Sequence, residues 1–238
     1  KAAMFVVLLR FVEISDALTF KSVVAVFSII AVISIMVGNL LALMQDNLKR
    51  ILAYSSIAHM GYLLIAVIAS FFAVGTVSIE AVTFYLLAYV IMSLGAFGVL
   101  TIFSSSQNEL DRVTDYQGLF WRSPWLAAVF TGMLLSLAGI PLTVGFIGKF
   151  YVFLAGVETE LWILLSVLIV GSGIGLYYYL RIVYRMLMPV SGDNILVDTR
   201  MENLSTLGVL AILFVLLLAL GIYPAPIMAI IEAISVHI

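Results

Sequence analysis

The chain has 238 residues, 64% of them hydrophobic and only 10% charged, with a mean hydropathy of +1.24 and a formal charge of −2. A soluble domain is about half apolar and about a quarter charged, so a soluble globule cannot hide this surplus and lipid must cover the outside. With no cysteine and two histidines, His59 and His237, thiolate-bound zinc or iron–sulfur centres and a haem pair are excluded, and no basic run points to nucleic acid.

Lys1 heads an apolar run that ends near Val12. A crossing needs roughly 20 residues, so this stretch reads as a truncated helix in a fragment of a longer protein. It is not a signal peptide, because a single lysine heads it and no small-residue cleavage site comes after it. A polar turn, Glu13-Ile14-Ser15-Asp16, comes next. Six stretches nearly free of charge follow, at 22–44, 51–72, 79–103, 124–157, 161–188 and 204–231. Each is long enough to span. They are joined by short connections at 45–50 and 73–78 and longer ones at 104–123 and 189–203. The expected architecture is an all-α integral membrane bundle. It has about six full transmembrane helices plus the truncated first one, in a single membrane domain over 1–238.

Arginines and lysines near helix ends set orientation. One side collects Lys49, Arg50, Arg112, Arg122, Arg181, Arg185 and Arg200; the other has only Arg10 and Lys21. The first side is expected to be cytoplasmic and the C-terminus to lie on the opposite face. The connection at 104–123 mixes charge with Leu110, Val113, Leu119 and Phe120, the pattern of an amphipathic segment at the membrane surface.

Counting along helices places charge where lipid should be. His59 lies nine residues beyond Arg50, and Lys149 nine before Glu158, each about 13 Å from a helix end. Lys1 lies nine before Arg10. A buried lysine at such depth costs at least ~2.5–3.5 kcal/mol. Burial disfavours a charged amine, so one that holds or releases its proton according to its neighbours suits a relay. Lys149 also ends an irregular stretch containing Gly139, Pro141, Gly145 and Gly148. Pro141 removes a backbone donor, and 124–157 is too long for one straight crossing. A broken helix fits both facts, and such breaks are tolerated only against protein or a wet cavity, where transporters place ion sites.

Plainer readings stand beside these. Lys149 could snorkel to an interface, though its depth argues against this. His59, with Tyr54, Ser55, Ser56 and Tyr62 nearby, could be a hydrogen-bonded core histidine. Glu80 opens a span and could simply cap it. Lys49, Arg50, Arg181 and Arg185 read as positive-inside anchors, and Tyr177-Tyr178-Tyr179 as an interfacial belt or packing surface. Gly171-Ser172-Gly173-Ile174-Gly175 resembles part of a dinucleotide fingerprint, but no strand precedes it. Gly171 and Gly175 instead have the spacing that lets membrane helices approach closely.

The runs Gly38-Asn-Leu-Leu-Ala-Leu43, Asn47-Leu-Lys-Arg-Ile-Leu-Ala-Tyr-Ser-Ser-Ile-Ala-His-Met-Gly-Tyr62 and Ser136-Leu-Ala-Gly-Ile-Pro-Leu-Thr-Val-Gly-Phe-Ile-Gly-Lys-Phe-Tyr151 resemble the antiporter-like subunits of respiratory complex I, over nearly the whole chain. Lys149, Glu80 before a long span, Gly118-Leu-Phe-Trp121 and the Tyr177–Arg181 run are similar to the N-type branch; the M-type carries glutamate at the position of Lys149. The resemblance implies a fourteen-helix fold of two inverted five-helix repeats, of which this chain would hold roughly helices eight to fourteen. It matches Lys1 to the eighth-helix lysine of a hydrophilic axis, His59 to the tenth-helix histidine, and Lys149 to the terminal lysine of the broken twelfth helix.

The resemblance further implies a proton-translocating membrane subunit of an NADH–quinone oxidoreductase, in a bacterial inner membrane beside a neighbouring antiporter-like subunit. NADH, FMN, iron–sulfur clusters and quinone would be bound by other subunits, leaving no cofactor and no redox site in this chain. The fifth-helix glutamate and seventh-helix lysine of the family are absent from it. Two other readings remain at this point. One is a subunit of a multisubunit sodium/proton antiporter or a membrane-bound hydrogenase. The other is a scaffold of the membrane arm that conducts nothing.

Overall fold

A computed structural model describes residues 2–15, 17–72, 77–103, 110–189 and 204–235. The described residues are almost entirely helical. In chain order the α-helices are α1 (Ala2–Ser15), α2 (Lys21–Leu43), α3 (Leu48–Phe72), α4 (Val77–Phe103), α5 (Leu119–Arg122), α6 (Pro124–Ala138), α7 (Val144–Glu158), α8 (Trp162–Leu187), α9 (Leu204–Ile222) and α10 (Ala225–Ser235). Short 3-10 turns occupy Ala17–Thr19 and Val113–Tyr116. Among the described residues five helices, α2, α3, α4, α8 and α9, are long and apolar enough to cross a membrane.

Sequence expectation and structure part at two places and agree at a third. The polar turn expected at Glu13–Asp16 is helical through Ser15, because Ser15 Oγ folds back onto the Phe11 carbonyl (2.6 Å) and needs no break in the backbone. The stretch 124–157 is two helices rather than one, as its length and proline required. The stretch expected as one span at 204–231 is also divided, into α9 and α10 at Tyr223-Pro224. Pro224 has no N–H to give and disfavours helical backbone in the residue before it.

Helix α3 is the axis of the bundle. Within its apolar window 78% of residues are buried inside the chain, against 22% in α2 and 17% in α9. Its mid-helix polar residues Ser55, Ser56 and His59 are therefore buried, while Ile29, Ile33, Val209 and Ile212 of the outer helices present apolar surface outward. Helix α2 lies directly on α3: a Cβ at Gly38 would stand 2.8 Å from the Ala58 nitrogen, and one at Gly61 2.9 Å from the Ala31 oxygen. This contact sets Asn39 of α2 against Tyr62 of α3.

The basic end of the bundle is pinned by backbone pairing. Leu48 N–H donates to Asp111 O (2.6 Å) and Val113 N–H to Asp46 O (2.9 Å), closing an isolated antiparallel bridge between Asn47 and Arg112. Asn47 Oδ1 caps α3 by accepting from Arg50 N–H (3.0 Å). Arg181 of α8 reaches the Gln45 carbonyl and lies 3.8 Å from Asp46. In the segment expected to be amphipathic, Val113, Tyr116 and Leu119 are buried while Trp121 is exposed, and Trp121 Nε1 donates to Leu187 O (3.1 Å). Tyr116 donates to Leu110 O (3.1 Å); burial first, then the Asp115 and Asp111 carboxylates, holds its phenol above the usual range. Arg200 lies outside the described residues.

Candidate functional site

Helix α6 ends because Gly139 takes a left-handed conformation, φ +86°. Gly139 N–H donates to Ser136 O and Ile140 N–H to Leu135 O, both at 3.0 Å. This reversed closure satisfies the carbonyls one turn back but leaves those of Leu137 and Ala138 without a helical partner. Lys149, one turn into α7, fills that gap: its Nζ donates to Leu137 O (3.1 Å) and Ala138 O (2.9 Å). A cation at a helix C-terminus meets the negative end of the backbone dipole. Lys149 is 8% exposed, so it does not snorkel. The third side of the amine faces the Tyr62 ring, with Nζ 5.2 Å from the centroid.

The residues named for the break divide into two kinds. Gly139 and Pro141 lie in the irregular stretch between α6 and α7, where Leu142 also has positive φ (+72°). Gly145 and Gly148 are helical and serve close approach instead. A Cβ on Gly145 would stand 1.9 Å from Ser136 O, and Gly145 N–H donates to Ser136 Oγ (3.0 Å). A Cβ on Gly148 would stand 2.5 Å from Cδ2 of Tyr85, so the glycine gives that ring its place. The break of the last span meets this one: a Cβ on Gly221 would stand 2.5 Å from Leu142 O.

His59 is 2% exposed. Its Nδ1 shares a hydrogen bond with Tyr85 Oη of α4 (2.7 Å). A phenol can donate to a neutral imidazole or accept from a charged one, so the same partner serves both protonation states. Three tyrosine rings surround the imidazole: Tyr89 at 5.4 Å, Tyr62 edge-on at 5.7 Å and Tyr85 at 6.1 Å between centroids. Tyr62 thus touches both bases, with the Lys149 amine over its face and the His59 ring against it.

The other candidate residues are distributed as follows. Ser55 is buried one turn before His59, and its hydroxyl donates to Leu52 O (2.9 Å). Tyr54 is half-buried against the apolar core, outside the cluster. Glu80 is buried in the first turn of α4, more than a turn before Tyr85. Lys1 lies outside the described residues. Tyr85, Tyr89 and Asn39 belong to the cluster although sequence reasoning gives them no role. The Tyr177-Tyr178-Tyr179 run is not one surface: Tyr177 is 63% exposed, whereas Tyr178 and Tyr179 are buried at 1%. Tyr178 donates to Asn39 Oδ1 (3.0 Å). Helical phase separates them, since successive residues point about 100° apart.

Residues 1–175 match the transmembrane family described as NADH:quinone oxidoreductase/Mrp antiporter. NADH-quinone oxidoreductase subunit N of Methylococcus capsulatus is 50% identical over 227 residues, which are 95% of this chain and 45% of that protein. The subunit N of Ectopseudomonas mendocina is 49% identical over 236 residues, 98% and 47% of the two. A chain in the structure of respiratory complex I from Thermus thermophilus with bound aureothin superposes with a TM-score of 0.74 at 32% identity, covering 86% of this chain and 45% of that one. A chain of the Mrp complex from a Dietzia species gives 0.75 at 20% identity over 89% and 46%, a likeness of fold alone. The chain spans about half the length of the curated relatives it matches.

Proposed function

The chain belongs to the NADH:quinone oxidoreductase/Mrp antiporter membrane family, and from that premise we propose that it moves protons as part of the N-type subunit of an NADH–quinone oxidoreductase. The names of its relatives at about half identity support the choice of enzyme. The observation that carries the proton reading is the Lys149 amine, buried on the open carbonyls of a broken helix and one aromatic ring from His59.

The geometry tolerates both protonation states at both bases. A charged amine has three donors; two meet Leu137 O and Ala138 O, and the third side faces the Tyr62 ring. A neutral amine keeps two donors, enough for the same carbonyls, so releasing a proton does not uncap α6. His59 keeps Tyr85 in either state. Positive charge on one base disfavours it on the other, and low polarity between them strengthens the effect. A proton arriving at His59 therefore drives one off Lys149, and release from Lys149 prepares His59 to load. Lys1 is the third member of the axis in this reading. Quinone reduction in other subunits starts the sequence, and a neighbouring antiporter-like subunit continues it. The Arg-rich end faces the cytoplasm and the C-terminus the opposite side of a bacterial inner membrane. NADH, FMN, iron–sulfur clusters and quinone are bound by other subunits.

The family description also covers the Mrp antiporter; sodium/proton exchange is the rival reading, and ion dependence separates the two. In inverted membrane vesicles containing the chain's own enzyme, NADH is expected to acidify the lumen equally well with sodium replaced by choline. Acidification that needs sodium, or proton–sodium exchange that continues without NADH, would assign the chain to exchange instead.

A further inference from the structure

The buried hydrogen bonds of Asn39 lead away from both bases. Its Nδ2 donates to Ile35 O (2.8 Å) and to Tyr62 Oη (3.0 Å), and its Oδ1 accepts from Tyr178 Oη (3.0 Å). Both amide protons are thereby engaged, and the hydroxyl proton of Tyr178 points inward to Asn39. An amide held this way passes no proton along the chain, because each of its donors already has a fixed acceptor. What it does is hold the phenol of Tyr62 by its oxygen. The Tyr62 ring touches both the Lys149 amine and the His59 imidazole.

The close-spaced glycines of α8 have their use here. A Cβ on Gly171 would stand 2.9 Å from Tyr62 Oη and 3.0 Å from Asn39 Nδ2, while Gly175 leaves 3.5 Å to Asn39 Oδ1. The small-residue face of α8 is the wall against which this amide and phenol are seated.

We infer that Asn39 is a positioning residue for proton transfer: with Tyr178 behind it and Gly171 making room, it clamps Tyr62 so that its ring stays in contact with both Lys149 and His59. This rests on the proton reading of those two bases. Asn39 acts through Tyr62 and touches neither base.

The test is a double-mutant cycle on pumping by the whole assembled enzyme in vesicles, normalised to the amount of complex. Asn39→Leu and Tyr62→Phe each remove one side of the Asn39–Tyr62 bond. Each is expected to slow NADH-driven proton uptake roughly five-fold, the population change produced by losing one net hydrogen bond. The double variant is expected to be no slower than the slower single one, because the second change has nothing left to remove. Losses that multiply would mean that Asn39 only packs α2 against α8, and would overturn the inference. Should Asn39→Leu fail to assemble, Tyr178→Phe loosens the clamp while leaving every packed carbon in place; an unchanged rate there would overturn it too. Lys149→Ala is the control. Lost pumping in that variant beside normal pumping in Asn39→Leu defeats the clamp alone, whereas unchanged pumping in Lys149→Ala defeats the proton reading and the clamp with it.

Discussion

Lys149→Ala is expected to cut NADH-driven proton uptake by at least ~100-fold in vesicles, the low end of what a positioned proton donor or acceptor contributes. The change has two consequences that must be kept apart. Removing the amine leaves Leu137 O and Ala138 O buried with no helical partner, at a cost of ~1–3 kcal/mol each, so some loss of assembly is expected as well. Lys149→Arg separates the two. A guanidinium can meet both carbonyls and keeps the positive charge at the end of α6, but it does not give up its proton inside a protein. The arginine variant should therefore assemble better than the alanine variant and pump no better. If Lys149→Arg pumped like the parent enzyme, the amine would be a structural cap and not a carrier. The measurement is the rate of luminal acidification per assembled enzyme, with assembly read from the amount of intact complex on a native gel.

The second large effect is expected from Gly145→Val. Even the first carbon of a side chain there would stand 1.9 Å from Ser136 O, and 2.7 Å from Met92 Sδ. The sulfur can move; the carbonyl belongs to the last turn of α6, and Ser136 is fully buried. Relieving the contact means prising α7 from α6 by more than an ångström, which would also break the Gly145 N–H to Ser136 Oγ bond and draw Lys149 off its two carbonyls. Overpacking of this kind costs about 1–3 kcal/mol, and more where backbone is the obstacle. Enzyme carrying Gly145→Val should accumulate poorly and lose activity at lower temperature than the parent. Normal yield and heat stability would show that the two half-helices are not held in this contact.

Parts of this site are legible in the sequence. Depth counting finds His59 and Lys149, because a charge or imidazole near the middle of an apolar run is expensive and therefore informative. The excess length of 124–157, with Gly139 and Pro141 inside it, announces the break. The division of the last span escapes sequence reading although Pro224 and Pro226 stand in plain view, because nothing charged marks the depth there. Tyr85, Tyr178 and Asn39 are illegible for a different reason. A tyrosine packs its ring like any apolar residue and hides a hydroxyl that matters only once the neighbouring helix is known. Which member of the Tyr177–Tyr179 run turns inward depends on the rotation of α8, and Gly171 and Gly175 fix that rotation by contact with α2. Period alone cannot supply it. Asn39 lies inside a family motif yet carries no charge to draw attention, and its role emerges only when three helices are brought together.

Charge on the Lys149 amine and charge on the His59 imidazole should answer to each other across the Tyr62 ring. That can be read directly by infrared difference spectroscopy of the histidine-labelled enzyme over a pH series, with the His59 bands identified by subtraction of the His59→Phe variant. The titration of His59 in the parent enzyme should be displaced when Lys149 is replaced by methionine. A titration curve that stays where it was after the amine is gone would contradict the account.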